Sequence, residues 1–193
     1  GFTTLVLVQA RDQDRLQRQA WQDPLTGLPN RAVFREQLRR ELSGLARSGR
    51  WLAVGVLDLD GFKDVNDRLG HAAGDAVLVE VARRLRLAFR ASDVVARLGG
   101  DEFTVLLCDP QPPAELEVEL RRRLRQVLSP PVRVGEVSVP LRASLGVVVT
   151  DGVLPGGAAA GEVSVDAALQ GADRAMYRAK REGGGVSFGR LKG

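Results

Sequence analysis

Trp51-Leu52-Ala53-Val54-Gly55-Val56-Leu57-Asp58-Leu59-Asp60 runs almost without a polar side chain until it closes on two carboxylates. A short continuous apolar run between glycine-bearing segments reads as a strand covered on both faces, which places a sheet in the interior with helices outside it. Strand side chains alternate, so Asp58 and Asp60 share one face while Leu57 and Leu59 take the other.

Helices are expected on both sides of this strand. From Arg31 to Arg47, Val33, Phe34, Leu38, Leu42 and Leu45 recur at three- and four-residue intervals, as on a helix with one buried face. Leu78, Val79, Ala82, Leu85 and Ala88 predict a second helix over 75–89, with Asp75 as its N-cap. Residues 93–97 and 103–108 read as strands about Gly99-Gly100, a hairpin. A charged helix over 114–128, strands over 132–139 and 141–150, a helix over 166–181 and a last strand over 186–189 complete the order. Residues 151–163, rich in Gly and Ala and without period, read as a mobile loop. The pattern is an α/β sandwich with a central mixed sheet and helices outside. Upstream, the two prolines and the glycine of Asp23–Asn30 break the chain and mark a boundary. This leaves 1–21 as a β-prone strand (4–9) with a helical connector, and 22–190 as the main domain.

The chain of 193 residues, 44% hydrophobic and 27% charged, has room for one full core and not two. Its 28 basic and 24 acidic residues leave only +4, too little to imply nucleic-acid binding. The run Arg121-Arg122-Arg123-Leu124-Arg125 sits among acids without aromatic partners and reads as a solvated helix face. Cys108 is the sole cysteine, so neither a disulfide framework nor a cysteine metal site is expected, and a reducing cytoplasm fits. No stretch approaches the roughly 18 apolar residues of a membrane span, so no membrane contact is expected within this chain. Gly1 in place of Met leads us to expect a fragment of a longer protein.

Carboxylates at the end of a buried strand are costly unless their charge is compensated. A hard divalent cation does so with one or two carboxylates, water and phosphate oxygens. A second acidic pair, Asp101-Glu102, follows Gly99-Gly100, where absent side chains let a phosphate approach closely. Either pair alone is equally well read as capping a turn at the sheet edge.

Together the motifs resemble the GGDEF family, the diguanylate cyclases. The resemblance is carried by Asp58-Leu59-Asp60-Gly61-Phe62-Lys63-Asp64-Val65-Asn66-Asp67, Gly70-His71-Ala72-Ala73-Gly74-Asp75 and Arg97-Leu98-Gly99-Gly100-Asp101-Glu102-Phe103. Asp23–Arg31, Ser144–Val147 and Ala172–Lys180 add to it. The resemblance implies a palm-like cyclase fold with the acidic motif on a hairpin. It also implies condensation of two GTP into cyclic di-GMP and pyrophosphate by a homodimer.

By match to the motif, Asp58, the Leu59 carbonyl and Asp101 hold Mg²⁺, or Mn²⁺ in its place, and Asp101 or Glu102 takes the proton. Asn66 and Asp75 read guanine, whose N1–H and 2-amino donors a carboxylate accepts together. The N–H groups of Phe62 and Lys63, with Gly99, Gly100 and Lys180, receive the phosphates. Arg90 and Asp93, at the family's spacing before Gly99, form an inhibitory site for the product.

Two further features bear on activity and regulation. Residues 5–9 resemble the closing strand of a PAS-type sensor, which makes the domain a C-terminal output module. The family's Arg-Asn pair after the last helix is replaced by Gly184-Gly185. Loss of one charge-assisted phosphate contact is worth about 1 to 2 kcal/mol, or roughly tenfold in KM, with Arg178 or Arg181 as substitutes. This departure keeps open a second reading, a catalytically weak GGDEF domain that binds GTP or cyclic di-GMP as a regulatory ligand.

Overall fold

The structure, a computed structural model, describes residues 21–48, 50–110, 112–150 and 163–189. The expected strand 4–9, its connector and most of the loop 151–163 lie outside the described residues. In order come α1 (Arg31–Ser48), β1 (Leu52–Leu59), α2 (Phe62–Leu69), α3 (His71–Ala88), β2 (Val94–Gly99), β3 (Glu102–Cys108) and α4 (Pro113–Leu128). They are followed by β4 (Val132–Val134), β5 (Val137–Val139), β6 (Ala143–Thr150), α5 (Val165–Arg181) and β7 (Gly185–Gly189).

Among the described residues, five strands form one sheet in the order β2-β3-β1-β6-β7. The all-apolar run thus becomes the central strand, buried along its whole length. β1 is antiparallel to both β3 and β6, and β6 is parallel to β7, so the sheet is mixed as expected. Alternation along β1 divides the core. Ala53, Leu57 and Leu59 pack with Val77, Val81 and Leu85 of α3 and Leu116, Leu120 and Leu124 of α4. Leu52, Val54 and Val56 pack with Phe34, Leu38 and Leu42 of α1 and with Ala168, Ala172 and Met176 of α5. The small residues of α5 let it lie directly on β6. A Cβ at Gly146 would fall 1.9 Å from the Met176 backbone nitrogen and 2.1 Å from the Ala172 carbonyl oxygen.

Two expectations are corrected. Residues 132–139 are a separate two-stranded ribbon, because Gly135 at φ 58° reverses the chain inside the stretch read as one strand. Asp75 is not an N-cap. The helix begins at His71 with Gly70 as its cap, and Asp75 stands on its exposed second turn.

Cys108 ends β3 half-buried, and burial, with Glu41 and Asp93 nearby, pushes its thiol up to about 11. At pH 8 the thiolate fraction is then roughly a hundredfold below that of an ordinary cysteine. Alkylation by iodoacetamide is expected to be slower by about that factor than for glutathione, which a timed mass measurement reads directly.

Candidate active site

β1 positions the first acid. Asp58 follows Val54 and Val56 onto the α5 side of the sheet, where it is only 8% exposed. Lys180, in the last turn of α5, meets it there, with Nζ 2.6 Å from Asp58 Oδ1. This ion pair, with Asp60 and Asp101 close by, holds the Lys180 ammonium above its usual range. Asp60 is engaged differently: Ser144 of β6 donates to both its carboxylate oxygens at 3.0 and 3.1 Å.

The hairpin delivers the second pair of acids. The β1–β3 register sets Asp58 directly opposite Glu102, and the Leu59 N–H donates to the Asp101 carbonyl at 3.3 Å. The turn that makes this possible uses positive φ at Gly99 (138°) and Gly100 (53°), conformations that side chains with a Cβ avoid. Burial, then the charge of Asp58, pushes the Asp101 carboxyl above the usual range. Burial, Asp58 and Asp173 of α5 do the same to Glu102. Acids that resist ionisation beside a buried carboxylate are a donor set suited to a hard cation, whose charge relieves their repulsion. Among the described residues, no three His, Cys, Asp or Glu side chains gather to hold a metal. The expected set is smaller, two carboxylates and one carbonyl, and leaves the remaining positions to water and phosphate oxygens.

α2 and α3 bring the other expected residues together. Phe62 and Lys63 open α2, where the first N–H groups of a helix lack intrahelical acceptors. The Asn66 side chain lies against Gly74 of α3, which puts it beside Asp75. Asn66 thus meets α3 one residue before Asp75, which is exposed.

Of the expected substitutes for the missing arginine, Arg178 is committed: it donates to the Phe188 carbonyl at 2.8 Å. Arg181 stands exposed at the end of α5. Position 184 itself turns at φ 100°, and a Cβ there would lie 3.1 Å from Asp60 Oδ2.

The Arg121–Arg125 run is paired as a solvated face at Arg121 with Glu117 and at Arg122 with Glu119. Arg123 departs from that reading. It is 5% exposed and reaches Asp93 at 3.1 Å. Arg90, by contrast, is exposed, while its backbone N–H donates to Asp93 at 3.0 Å.

Sequence reasoning gave no role to a further link. Arg97 donates from Nη1 to both oxygens of Asp23, at 2.9 and 3.1 Å, and from Nε and Nη2 to the Gly100 carbonyl, at 3.0 and 2.7 Å. Burial opposes ionisation of Asp23, but hydrogen bonds from Thr26 and Arg97 outweigh it and hold the carboxyl below its usual range. One guanidinium thus ties the leading turn of the domain to the Gly-Gly turn. Arg97→Met, which leaves Asp23 half-satisfied, is expected to cost about 2 kcal/mol in urea denaturation. Adding Asp23→Asn should cost less than its single-variant loss, because both changes break one contact.

A five-stranded mixed sheet between helices, with an acidic Gly-Gly hairpin beside its central strand, defines the cyclase-like α+β class of domain. The family model described as diguanylate cyclase, GGDEF domain, matches residues 20–185, and the chain belongs to this family. It is 43% identical over 182 residues to the diguanylate cyclase TpbB of Pseudomonas aeruginosa, covering 92% of this chain and 40% of that protein. The chain therefore spans well under half the length of this curated relative. The solved GGDEF domain of the P. aeruginosa TpbB superposes with a TM-score of 0.76 at 39% identity, covering 89% of this chain and 94% of that one. The coiled coil and GGDEF domain of DgcB from Caulobacter crescentus, solved in complex with cyclic di-GMP, gives 0.80 at 25% identity, covering 96% and 94%.

Proposed function

We propose that the domain is an active diguanylate cyclase. It condenses two GTP into cyclic di-GMP and two pyrophosphates, each 3′-hydroxyl attacking the α-phosphorus of the other nucleotide. The observation that carries this reading is the register that faces Asp58 with Glu102 and bonds Leu59 to Asp101, which brings acids from separate segments to neighbouring positions at one end of the sheet. Asp58, the Leu59 carbonyl and Asp101 would hold Mg²⁺, or Mn²⁺. When bound, the ion neutralises triphosphate charge and polarises the attacked phosphorus.

The chain's own groups do the rest. Asn66 and Asp75 accept and orient guanine. The N–H groups of Phe62 and Lys63 receive terminal phosphate oxygens at the positive end of α2. Lys180, paired with Asp58 at 2.6 Å, adds a point charge for the phosphates. Asp101 or Glu102, whose raised affinity for protons suits a base, accepts the hydroxyl proton. Each domain carries one such site, so turnover needs two domains face to face, a homodimer set by an upstream sensor and linker ending near residue 21. The product inhibits by binding at Arg90 and Asp93, on the cytoplasmic side of any membrane the whole protein meets.

One observation favours the second reading, a nucleotide-binding regulatory module: Gly184 turns tightly under Asp60, and Arg178 is occupied elsewhere. Incubation with GTP and Mg²⁺, followed by chromatography, separates the two. Cyclic di-GMP that forms with this chain and not with Asp101→Asn supports the cyclase. GTP binding without product in a concentrated, folded sample supports the module.

A further inference from the structure

Gly74 occupies a helical position whose backbone does not call for glycine. It lies inside α3, outside the positive-φ region, where alanine is the better helix former. What excludes a side chain is a neighbour. A Cβ at Gly74 would fall 1.9 Å from Asn66 Oδ1, 2.9 Å from Asn66 Cγ and 3.1 Å from Phe62 Cζ.

The collision differs in kind from the one at Gly146. There a Cβ meets the backbone of α5, and the fold itself is at stake. At Gly74 it meets the polar end of one side chain and the tip of one ring, both on α2. That helix contains no fully buried residue; it packs against the core through Phe62 and Val65, both partly buried.

We propose that Gly74 is a positioning residue for the nucleotide. Its missing side chain seats the Asn66 amide against α3, beside Asp75, and with it sets the pose of α2, whose first turn presents the Phe62 and Lys63 N–H groups. Glycine at 74 thus contributes to guanine selection without touching the base. The inference rests on the reading of Asn66 and Asp75 as the guanine pair.

The test compares Asn66→Ala, Gly74→Ala and the double variant of the 193-residue chain. The probes are α,β-methylene GTP and its adenosine counterpart, by calorimetry, with a thermal melt for each protein. Gly74→Ala is expected to weaken the guanosine analogue about tenfold and to narrow its preference over the adenosine analogue. Asn66→Ala should do the same. Removing the Asn66 amide relieves both contacts shorter than 3.0 Å and leaves only the tip of the Phe62 ring at 3.1 Å, so the double variant should bind little more weakly than Asn66→Ala alone.

A Gly74→Ala protein within twofold of the parent, beside a weakened Asn66→Ala, overturns the inference and leaves the guanine reading standing. So does a full further loss in the double variant. Unchanged binding in Asn66→Ala overturns the guanine reading and this inference with it. If Gly74→Ala does not fold, restoration of the melt in the double variant supports the seat, and failure to restore it refutes it.

Discussion

Asp101→Asn is expected to lower cyclic di-GMP formation by at least about 10³-fold while the melting temperature stays within a few degrees of the parent. The two halves of this expectation have one cause. Asp101 sits at the tip of the hairpin, where burial and then Asp58 make its negative charge unfavourable. An amide of the same shape removes that charge and keeps the volume, so the fold loses little. The site loses an anionic donor, and several kcal/mol of charge stabilisation at the reacting phosphorus go with it; at about 1.4 kcal/mol per decade this is a factor near 10³. Glu102→Gln should fall less if Asp101 is the base and as far if the proton goes to Glu102, so the pair of variants ranks the two carboxylates. A rate within tenfold of the parent for Asp101→Asn would remove the catalytic role given to the hairpin.

The outcome also bears on Lys180. In Asp58→Asn the ammonium loses the carboxylate that holds it at 2.6 Å. Asp58→Asn and Lys180→Met therefore remove two ends of one contact and should not add in their effect on GTP affinity. Additive losses would show that Lys180 meets the nucleotide without leaving Asp58.

What the sequence reveals follows the range of the interactions. β1 is legible because seven consecutive apolar positions, 51–57, demand cover on both faces, and the hairpin because Gly99-Gly100 separates two β-prone runs. Their junction, with Asp58 opposite Glu102, follows from strand pairing once both are placed. The Asp23–Arg97 tie spans 74 positions and joins a turn to a strand end, so no local pattern announces it. Arg123 is hidden for a different reason. It stands in a run whose neighbours are ordinary surface pairs, and only the packing of α4 turns this one guanidinium inward over the Phe89 ring, 5.0 Å from its centre. The start of α3 is misread because Gly70 and Gly74 look like helix breakers. One of them is the cap, and the other makes room for Asn66.

Asp93→Ala is expected to destabilise the domain by about 3 kcal/mol and to lower its melting temperature by roughly 10 °C, whereas Arg90→Ala leaves the melt unchanged. The side chains of Asp93 and Arg123 are 4% and 5% exposed. The Asp93 carboxylate accepts from Arg123 and from the Arg90 backbone N–H, while Arg123 also donates to Glu119 at 2.8 Å. Hydrogen bonds from Arg122 and Arg123 outweigh burial and hold the Glu119 carboxyl down to about 2, so Glu119 stays charged well into acid. Deleting Asp93 leaves a buried guanidinium with one carboxylate in place of two and an N–H without its acceptor, a loss of the kind that melts domains. Arg90→Ala keeps that N–H and removes an exposed side chain, worth under about 0.5 kcal/mol. The same geometry bears on the proposed product inhibition. The cavity between Arg90, Asp93, Leu116 and Arg123 measures about 20 Å³, room for about one water, so it does not hold a purine as the side chains stand. Inhibition by cyclic di-GMP should accordingly weaken about tenfold in Arg90→Ala at constant melting temperature, and that variant reads the inhibitory site free of any folding defect. An Asp93→Ala protein that melts with the parent would mean the Arg123 contact holds nothing together.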